Sequence, residues 1–299
     1  MHPGRGISVV VPHYGPVEMT GSLVDALLTQ TERPIEVIVV DDCSPQPFPE
    51  RAGVILVRRE RNGGFGAAVN SGAERASGDL LLILNSDVEI ESDFIQRLSE
   101  AAEPWLPAVC GPLLRDGLGG FEITGRHFPT ARGQGVEWLS GLARFRDHRL
   151  LHEAIGNDTR CRPGATVSVD WLVGAALLLP LATFRQVGGF DTGFYMNCEE
   201  VDLQRRLRDL GIPSVFLGAV TAIHRGAGSS DPSQRRAWTA GSRHRYARKW
   251  DSPARLHSTL AAATAVNAVT NGVRQLAGRD VDALAVAREE WHLAVGDQR

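Results

Sequence analysis

The stretch Leu80-Leu81-Leu82-Ile83-Leu84-Asn85-Ser86-Asp87-Val88 decides the fold class of this chain. Its five consecutive apolar residues are typical of a short strand that is buried on both faces, as in parallel sheets. The apolar run then stops at a polar Asn-Ser-Asp, which places a carboxylate at the carboxyl end of the strand. Because ligand sites of open α/β sheets gather at the carboxyl ends of strands, Asp87 is a candidate binding residue.

Similar apolar runs recur before this one, at residues 7–11, 35–40 and 54–57. Helical spacing or composition predicts helices at 23–28, 66–76 and 93–102. Strands that alternate with helices predict βαβ units and a mostly parallel sheet. The predicted fold class is therefore α/β, a Rossmann-like central sheet flanked by helices, followed by a C-terminal extension that is helical over 254–295.

The composition narrows the function classes. The chain has 299 residues and a net charge of −3, which gives no reason to expect nucleic-acid binding. Its four cysteines lie far apart and form no CxxC pair, so a reducing compartment is expected. No apolar run reaches the roughly 18 residues of a spanning helix, and no signal peptide is recognised at the start. The expected location is the cytoplasm, with contact to the inner face of the cell membrane left open.

Residues 115–163 break this pattern, because Gly, Pro and Arg interrupt it throughout. The expectation is a long, partly mobile insertion, since loops of this length are usually functional or disordered. Order resumes at 167, with a strand or a buried helix over 171–179 and a strand over 214–217.

Two sequence features fit a nucleotide. Asp41-Asp42 ends the second apolar run, where a carboxylate can accept a hydrogen bond from a base or a ribose; the alternative is a turn aspartate. The segment Asn62-Gly63-Gly64 precedes a helix, and glycines there let backbone N–H groups approach phosphates. A dinucleotide site of an oxidoreductase would need a cleaner G-x-G-x-x-G directly after the first strand. A tight turn with close helix packing is the structural alternative.

Acidic residues dominate the second half of the candidate site. Glu199, Glu200 and Asp202 open a helix, where acids suit the helix dipole. Like charges this close should also raise at least one pKa, as a general base requires. His224 follows a strand, and it becomes a metal-ligand candidate if it converges with Asp87.

The basic stretch between Arg225 and Lys249 has two interpretations, a solvated helix face or a surface for a diphosphate or anionic headgroups. Residues 256–273 are rich in alanine and apolar but are broken by Ser, Thr and Asn. A packed or interfacial helix is expected there in preference to a spanning one.

Taken in order, these pieces resemble an inverting family 2 glycosyltransferase with the GT-A fold, from Ile7 to about Trp250. Val-Val-Asp41-Asp-Cys-Ser44 resembles the family's V-D-x-x-S, and Leu-Asn-Ser-Asp87 resembles a D-x-D variant without its first acid. Gly-Gly-Phe-Asp191 and Glu-Glu-Val-Asp202 resemble G-G-F-D and E-D-V-D, and His224 resembles the family's late histidine. The usual E-D pair is here Glu-Glu, so the base could be Glu199 or Glu200.

The resemblance implies a role for each site residue. The nucleotide site would be formed by Pro12, Tyr14, Asp41, Asn62, Gly64, Asn70, Ser86 and Asp87. Asp87 and His224 would hold Mg²⁺ or Mn²⁺, with Glu200 as base and Glu199 or Asp202 orienting it or the acceptor. Bacterial rhamnosyltransferases look most similar, and the segments around Arg132, Trp171 and Gly174 resemble their acceptor side.

The expected function is therefore transfer of a sugar, rhamnose among the candidates, from a dTDP- or UDP-sugar to a hydroxyl. The acceptor would be a glycan or a polyprenyl-diphosphate-linked sugar in envelope or polysaccharide synthesis. The predicted domains are a GT-A domain over 1–225, with a nucleotide half at 1–112 and an acceptor half at 113–225, and a basic helical extension at 226–299. The alternative is a non-catalytic nucleotide-sugar-binding protein. A nucleotide-cofactor oxidoreductase is a weaker alternative. Homo-oligomerisation stays open.

Overall fold

The computed structural model describes residues 5–145, 148–226 and 232–295. The chain forms two compact units. We call residues 1–127 and 160–230 the α/β unit, and residues 128–159 and 231–299 the helical unit. The predicted domains follow the chain order, whereas these units do not, because 128–159 is grouped with the C-terminal helices.

The α/β unit is built on a nine-stranded sheet. Its parallel part has the order β3-β2-β1-β4, formed by β1 (Ile7–His13), β2 (Glu36–Asp41), β3 (Val54–Arg58) and β4 (Leu80–Leu84). Every residue of β4 is buried, as the apolar run predicts. The carboxyl ends of β1, β2 and β4 therefore meet at one edge of the sheet, which brings Asp41 and Asp87 to that edge.

The remaining strands extend the sheet with mixed directions. They are β5 (Val88–Glu89), β6 (Val109–Arg115), β8 (Thr166–Val169), β10 (Ala176–Pro180) and β11 (Ser214–His224). β10 runs antiparallel to β4 and β6, β11 runs parallel to β6, and β5 and β8 both pair antiparallel with β11. A separate ribbon pairs β7 (Gly125–Arg126) with β9 (Trp171–Leu172). The predicted strand or helix over 171–179 is thus two strands.

Helices cover both faces of this sheet, as βαβ units require. They are α1 (Val17–Leu28), α2 (Phe65–Arg75), α3 (Phe94–Ala102), α6 (Leu181–Gln186) and α7 (Glu199–Asp209). α2 lies close to β1 and β2 because Gly72 carries no side chain there. A Cβ atom at Gly72 would lie only 2.5 Å from Cγ1 of Val10.

The helical unit contains α4 (Ala131–Trp138), α5 (Arg149–Ala154), α8 (Pro232–Trp250), α9 (Pro253–Leu276), α10 (Ala283–Val295) and a 3₁₀ segment over Ser140–Phe145. The expectation of a long loop across 115–163 is therefore wrong where these helices lie, over 131–138, 140–145 and 149–154. These helices are short, and polar contacts within the unit fasten them: Trp138 Nε1 donates to Thr264 Oγ1, and Asn267 Oδ1 accepts from Ser140 N. Local periodicity is weak in such short helices, which explains the error.

α9 is the longest helix, and its buried face includes Leu256, Leu260 and Asn267. This packing agrees with the predicted packed or interfacial helix. Within the described ranges, no helix combines the length and the hydropathy needed to cross a bilayer.

Candidate active site

Asp41 shapes the loop that follows β2. Its Oδ1 accepts a hydrogen bond from Ser44 N (2.8 Å), and its Oδ2 accepts from Phe48 N (2.9 Å) and from Arg58 Nη1 (3.2 Å). The side chain is 4% exposed. These contacts match the alternative of a turn aspartate, so any hydrogen bond to a nucleotide base would add to three that already exist.

Asp42, which the sequence analysis did not select, holds the glycine turn in place. Its Oδ2 accepts hydrogen bonds from Gly63 N (3.0 Å) and Gly64 N (2.8 Å), and its Oδ1 accepts from Arg59 Nε (2.6 Å). A carboxylate that accepts several backbone N–H groups fixes their direction. The signal for this role was present in the sequence, since Asp42 is the second acid at the same strand end.

Asn62 and Gly64 meet the segment that precedes α7. Asn62 Oδ1 accepts hydrogen bonds from Gly64 N and from the Tyr195 hydroxyl, both at 3.0 Å. Gly64 has a φ of +83°, and a Cβ atom there would lie 2.1 Å from the Tyr195 carbonyl oxygen. Burial raises the pKa of Tyr195, and nearby Tyr14 and Asp42 contribute to the increase. The predicted nucleotide residues Asn62 and Gly64 thus meet at Tyr195.

Asn70, predicted to bind the nucleotide, uses both ends of its amide within the fold. Its Nδ2 donates to Phe190 O (2.9 Å), and its Oδ1 accepts from Phe190 N (2.8 Å). Phe190 belongs to the Gly-Gly-Phe-Asp segment. The contact therefore fastens that segment to α2, and Asn70 positions the site.

Asp87 and His224 converge, as the metal hypothesis requires. β5 pairs with β11 so that His224 stands opposite Val88, and Arg225 N donates to Asp87 O (3.0 Å). His224 Nε2 lies 3.4 Å from Asp87 Oδ1, and His224 Nδ1 lies 3.1 Å from Glu122 Oε2. Burial opposes charge on the imidazole, but hydrogen bonds to the two acids prevail and raise the pKa of His224 to about 10.

Glu122 was missed because it falls in the segment expected to be a loop. After β6 the chain turns back, with Asp116 Oδ1 accepting from Gly120 N (2.7 Å) and Glu122 N donating to Leu114 O (3.0 Å). This tight return places Glu122 beside His224. Sequence spacing carried no signal for it.

The chemistry of this cluster fits a divalent cation that takes most of its ligands from elsewhere. In the described part of the chain, no three His, Cys, Asp or Glu side chains are arranged to hold a metal by themselves. Asp87 can nevertheless offer a carboxylate oxygen, and the adjacent His224 can offer a nitrogen once its imidazole has lost the proton that Asp87 and Glu122 favour. Magnesium and manganese sites in enzymes often combine one or two protein ligands with phosphate oxygens and water. Ser86 and Asp87 also line a cavity of about 410 Å³ beside α1.

Glu199 and Glu200 form a buried acidic pair at the start of α7. Glu199 is 4% exposed, and Glu200 is partly buried. One oxygen of each, Oε2, is hidden from solvent without a hydrogen-bond partner among the described residues. Burial and then the charge of Glu200 raise the pKa of Glu199 well above its ordinary value. Burial also raises the pKa of Glu200, while the charge of Arg126 acts in the opposite direction.

The backbone that delivers this pair is strained. Asn197 and Cys198 both have a φ of +67°, in the left-handed region that residues other than glycine rarely adopt. Such residues cost roughly 1–3 kcal/mol each and cluster at functional sites. Asn197 and Cys198 lie directly before Glu199, so their left-handed backbone sets the direction in which the chain enters α7.

Gly174, predicted on the acceptor side, lies beside Glu200, whereas Trp171 pairs with Arg126 in the ribbon. A Cβ atom at Gly174 would lie 3.5 Å from Glu200 Cβ. Gln204, one turn after Glu200, fastens α7 to β9, since its Oε1 accepts from Leu172 N and its Nε2 donates to Leu172 O, both at 2.8 Å. The structure therefore places part of the predicted acceptor side against the predicted base.

Asp202 is fully buried and forms an ion pair with Arg206 (Oδ2 to Nε, 2.9 Å). Arg206 also donates to the carbonyls of Val187 (2.6 Å) and Gly189 (2.8 Å). Through these two hydrogen bonds, the Asp202–Arg206 ion pair fastens the start of the Gly-Gly-Phe-Asp segment to α7. Arg132 belongs to the helical unit, where it lies in α4. Pro12 lies in β1, opposite Val40 of β2.

The chain is similar to several known proteins. The profile of Glycosyl transferase family 2 matches residues 8–171. An N-acetylglucosaminyl-diphospho-decaprenol L-rhamnosyltransferase of Mycobacterium tuberculosis is 30% identical over 254 residues, covering 76% of this chain and 79% of the relative. Rhamnosyltransferase WbbL of Escherichia coli is 29% identical over 50% of this chain and 53% of its own.

Two solved structures share the fold at low identity. GalNAc-T7, crystallised with UDP, GalNAc and Mn²⁺, has a TM-score of 0.56 and 15% identity, covering 79% of this chain and 48% of its own. S. aureus TarS 1-349 has a TM-score of 0.50 and 13% identity, and the match covers 97% of this chain and 90% of the TarS chain. The predicted GT-A architecture is confirmed, and with the profile match over more than half of its length, the chain belongs to glycosyl transferase family 2.

Proposed function

We propose that the protein is an inverting transferase that moves a deoxyhexose such as rhamnose from a dTDP- or UDP-sugar to a hydroxyl group. The proposed acceptor is a glycan or a sugar carried on a polyprenyl diphosphate. The similarity to the mycobacterial rhamnosyltransferase over three quarters of the chain supports this choice of sugar and acceptor. We propose a role in envelope or polysaccharide synthesis because the proposed acceptor is a glycan or a lipid-linked sugar.

The observation that carries the proposal is the buried pair Glu199 and Glu200, whose Oε2 atoms have no partner among the described residues. In the proposed step the acceptor oxygen bonds to the anomeric carbon, and the bond from that carbon to the diphosphate oxygen breaks. The acceptor proton passes to a carboxylate, and the bonding electron pair leaves with the diphosphate. A positioned carboxylate contributes about 10²–10⁴-fold to such a step.

We assign the base to Glu200. The base must be ionised, and two carboxylates this close disfavour double ionisation. Glu199 is the more buried of the two, and burial with the Glu200 charge raises its pKa well above the ordinary value. Burial raises the pKa of Glu200 too, but Arg126 acts in the opposite direction. Gly174 also packs close to Glu200, because a Cβ atom there would already be in van der Waals contact with Glu200 Cβ, at 3.5 Å.

Mg²⁺ or Mn²⁺ is proposed at Asp87 and His224, which lie 3.4 Å apart. When bound, the cation would neutralise charge on the leaving diphosphate. The Mn²⁺ in the GalNAc-T7 structure supports divalent metal use by proteins of this fold. Asn85 replaces the first acid of the D-x-D motif, so Asp87 supplies the carboxylate of that segment.

The other proposed roles follow the resemblance and the contacts above. Tyr14, Asn62, Gly64, Ser86 and the backbone at Pro12 would line the nucleotide pocket, with Asp41 contacting the base. Asn70 and Asp202 would position the Gly-Gly-Phe-Asp segment through Phe190 and Arg206. Trp171, Gly174 and Arg132 would serve the acceptor.

Thermal-shift measurements with UDP-, dTDP- and GDP-sugars, each with and without Mn²⁺, test the donor. Transfer to a short-chain lipid diphosphate carrying N-acetylglucosamine then tests the acceptor. We expect stabilisation by dTDP- or UDP-sugars and a new disaccharide by mass spectrometry. If the protein binds the donor but neither transfers its sugar nor hydrolyses it, the alternative of a non-catalytic nucleotide-sugar-binding protein is favoured.

Because the proposed acceptor is lipid-linked, we propose that the protein works at the inner face of the cell membrane. Vesicle flotation at low salt, with neutral and with anionic lipids, tests this location. Recovery of the protein with anionic vesicles is expected, and its absence from both vesicle fractions would count against membrane docking.

A further inference from the structure

Glu122 contacts His224, and the function proposed above gives it no role. His224 Nδ1 lies 3.1 Å from Glu122 Oε2 and 3.3 Å from Glu122 Oε1. Because an ionised carboxylate can only accept hydrogen bonds, Nδ1 carries a proton and donates it to Glu122. The other ring nitrogen, Nε2, lies 3.4 Å from Asp87 Oδ1. The two acids therefore contact different nitrogens of one imidazole ring.

A tight return of the chain after β6 holds Glu122 in place. Asp116 Oδ1 accepts hydrogen bonds from Leu118 N (2.9 Å) and Gly120 N (2.7 Å). Asp116 N donates to Gly120 O (3.0 Å), which closes the turn. Glu122 N then donates to Leu114 O (3.0 Å), so the returning chain lies along the end of β6. Because β6 pairs with β11, this return brings Glu122 to the carboxyl end of β11.

Asp87 reaches the same histidine from another element. β5 pairs with β11 so that Val88 stands opposite His224, and Arg225 N donates to Asp87 O (3.0 Å). The side chains of Asp87 and His224 are 14% and 16% exposed, whereas that of Glu122 is 35% exposed. Two separate backbone anchors thus set the imidazole ring between a more buried acid and a more open one.

A carboxylate on one nitrogen of a histidine decides which nitrogen remains available. Metal-binding histidines almost always donate their second N–H to a carboxylate, a carbonyl or water, and this contact fixes the tautomer and the orientation of the ring. Glu122 accepts the Nδ1 proton, so Nε2 is the nitrogen left to face a ligand beside Asp87. No three His, Cys, Asp or Glu side chains among the described residues are arranged to hold a metal, which agrees with a supporting position for Glu122.

We propose that Glu122 is a positioning residue of the metal site, which holds the His224 ring so that Nε2 faces the ligand shared with Asp87. The proposal rests on the proposed function, because it assumes that Asp87 and His224 hold the cation. Glu122 acts through His224 and needs no contact with the cation itself. Without Glu122, the Nδ1 proton loses its acceptor and the ring is free to turn, so fewer molecules present Nε2 beside Asp87.

Mn²⁺ binding, measured by electron paramagnetic resonance with UDP or dTDP present, tests the proposal without turnover. Glu122→Ala removes the acceptor for Nδ1, and the affinity for Mn²⁺ should fall about 10–100-fold. Glu122→Gln keeps an acceptor oxygen on a side chain of the same length and should retain most of the affinity. Unchanged affinity in Glu122→Ala would overturn the proposal. An equal loss in both variants would assign the effect to the charge of the carboxylate and would also overturn it.

Glu89→Gln is the matched control, because it removes the same charge close to the site without touching the imidazole ring. Glu89 lies in β5, two residues after Asp87, and its carboxylate pairs with Arg225 (2.6 Å). The affinity of this variant for Mn²⁺ should match that of the unmodified protein. A loss as large as that of Glu122→Ala would assign the effect to net charge and overturn the proposal.

Steady-state kinetics separates positioning from damage to the fold. In Glu122→Ala, the Mn²⁺ concentration for half-maximal transfer should rise about as much as the dissociation constant, while kcat at saturating Mn²⁺ should return close to that of the unmodified protein. A low kcat that no Mn²⁺ concentration restores would indicate a structural role and overturn the proposal. If the unmodified protein transfers no sugar, but Glu122→Ala weakens its Mn²⁺ binding and Glu122→Gln does not, the proposed transfer fails while the role of Glu122 stands.

Discussion

The side-chain amide of Asn70 binds both backbone groups of Phe190, accepting from its N at 2.8 Å and donating to its O at 2.9 Å. One residue of α2 therefore fixes the segment that leads to the acidic pair. The same amide was expected to bind the nucleotide. The two roles make different predictions for the same substitution.

Asn70→Ala should lower the free energy of unfolding by about 2–4 kcal/mol, because it leaves two backbone groups of Phe190 unpaired. Chemical denaturation measures the loss, and Gln96→Ala, at an exposed position, provides the control. The affinity for the nucleotide should fall only to the extent that loss of this contact displaces the Gly-Gly-Phe-Asp segment. Full stability with lost nucleotide binding would instead favour direct contact by Asn70.

Gly64→Ala should damage the nucleotide pocket, since the new Cβ would lie 2.1 Å from the Tyr195 carbonyl oxygen. Gly119→Ala is a matched control, because Gly119 has a similar φ of +89° but open space around it. Backbone strain alone costs roughly 1–2 kcal/mol. We expect Gly64→Ala to cost more stability than Gly119→Ala and to weaken donor binding at least 10-fold by calorimetry. Equal effects of both variants would mean that the contact with Tyr195 is unimportant.

Glu200→Gln should reduce kcat about 10²–10⁴-fold while donor affinity is retained, because glutamine cannot accept the acceptor proton. Glu199→Gln should keep more of the activity, since a neutral amide replaces a group whose neutral form burial and the Glu200 charge favour. Steady-state kinetics shows which of the two variants loses more activity, and calorimetry shows whether each still binds the donor. Near-normal turnover of Glu200→Gln with an inactive Glu199→Gln would reverse the assignment.

Glu199→Gln should also raise thermal stability, and more at pH 8 than at pH 4. The pKa of Glu199 is higher in the folded than in the unfolded chain, so the folded state binds the proton more tightly. Stability from this group is therefore lost as pH rises from the unfolded value of about 4.3. Glutamine removes that loss. A Tm difference that does not change with pH would contradict the assigned direction.

Removal of divalent metal with EDTA should abolish transfer, and Mn²⁺ or Mg²⁺ should restore it. Asp87→Asn should weaken Mn²⁺ binding at least 10-fold, measured by electron paramagnetic resonance with donor diphosphate present, because it removes the carboxylate of the site. Glu89→Gln, two residues away and paired with Arg225, serves as the control. Full activity in EDTA would exclude the proposed metal site.

The sequence alone determined the α/β class, because a strand buried on both faces must be continuously apolar, as Leu80 to Leu84 is. It also placed Asp87 and the Glu199–Glu200 pair correctly on their elements, since strand ends and helix starts have local signatures. The short helices over 128–159 were not predicted, because their packing surfaces belong to distant α8, α9 and α10.

Only the tertiary structure decided which distant side chains meet. The pairing of β5 with β11 brings His224 to Asp87, and the return of the chain after β6 adds Glu122. The ribbon of β7 and β9 sets Arg126 opposite Trp171. Such contacts depend on strand register and sheet order, which the spacing of residues along one chain does not encode. The sequence alone identified the acidic residues of the candidate site, and the fold brings His224 and Glu122 to Asp87 and buries Glu199.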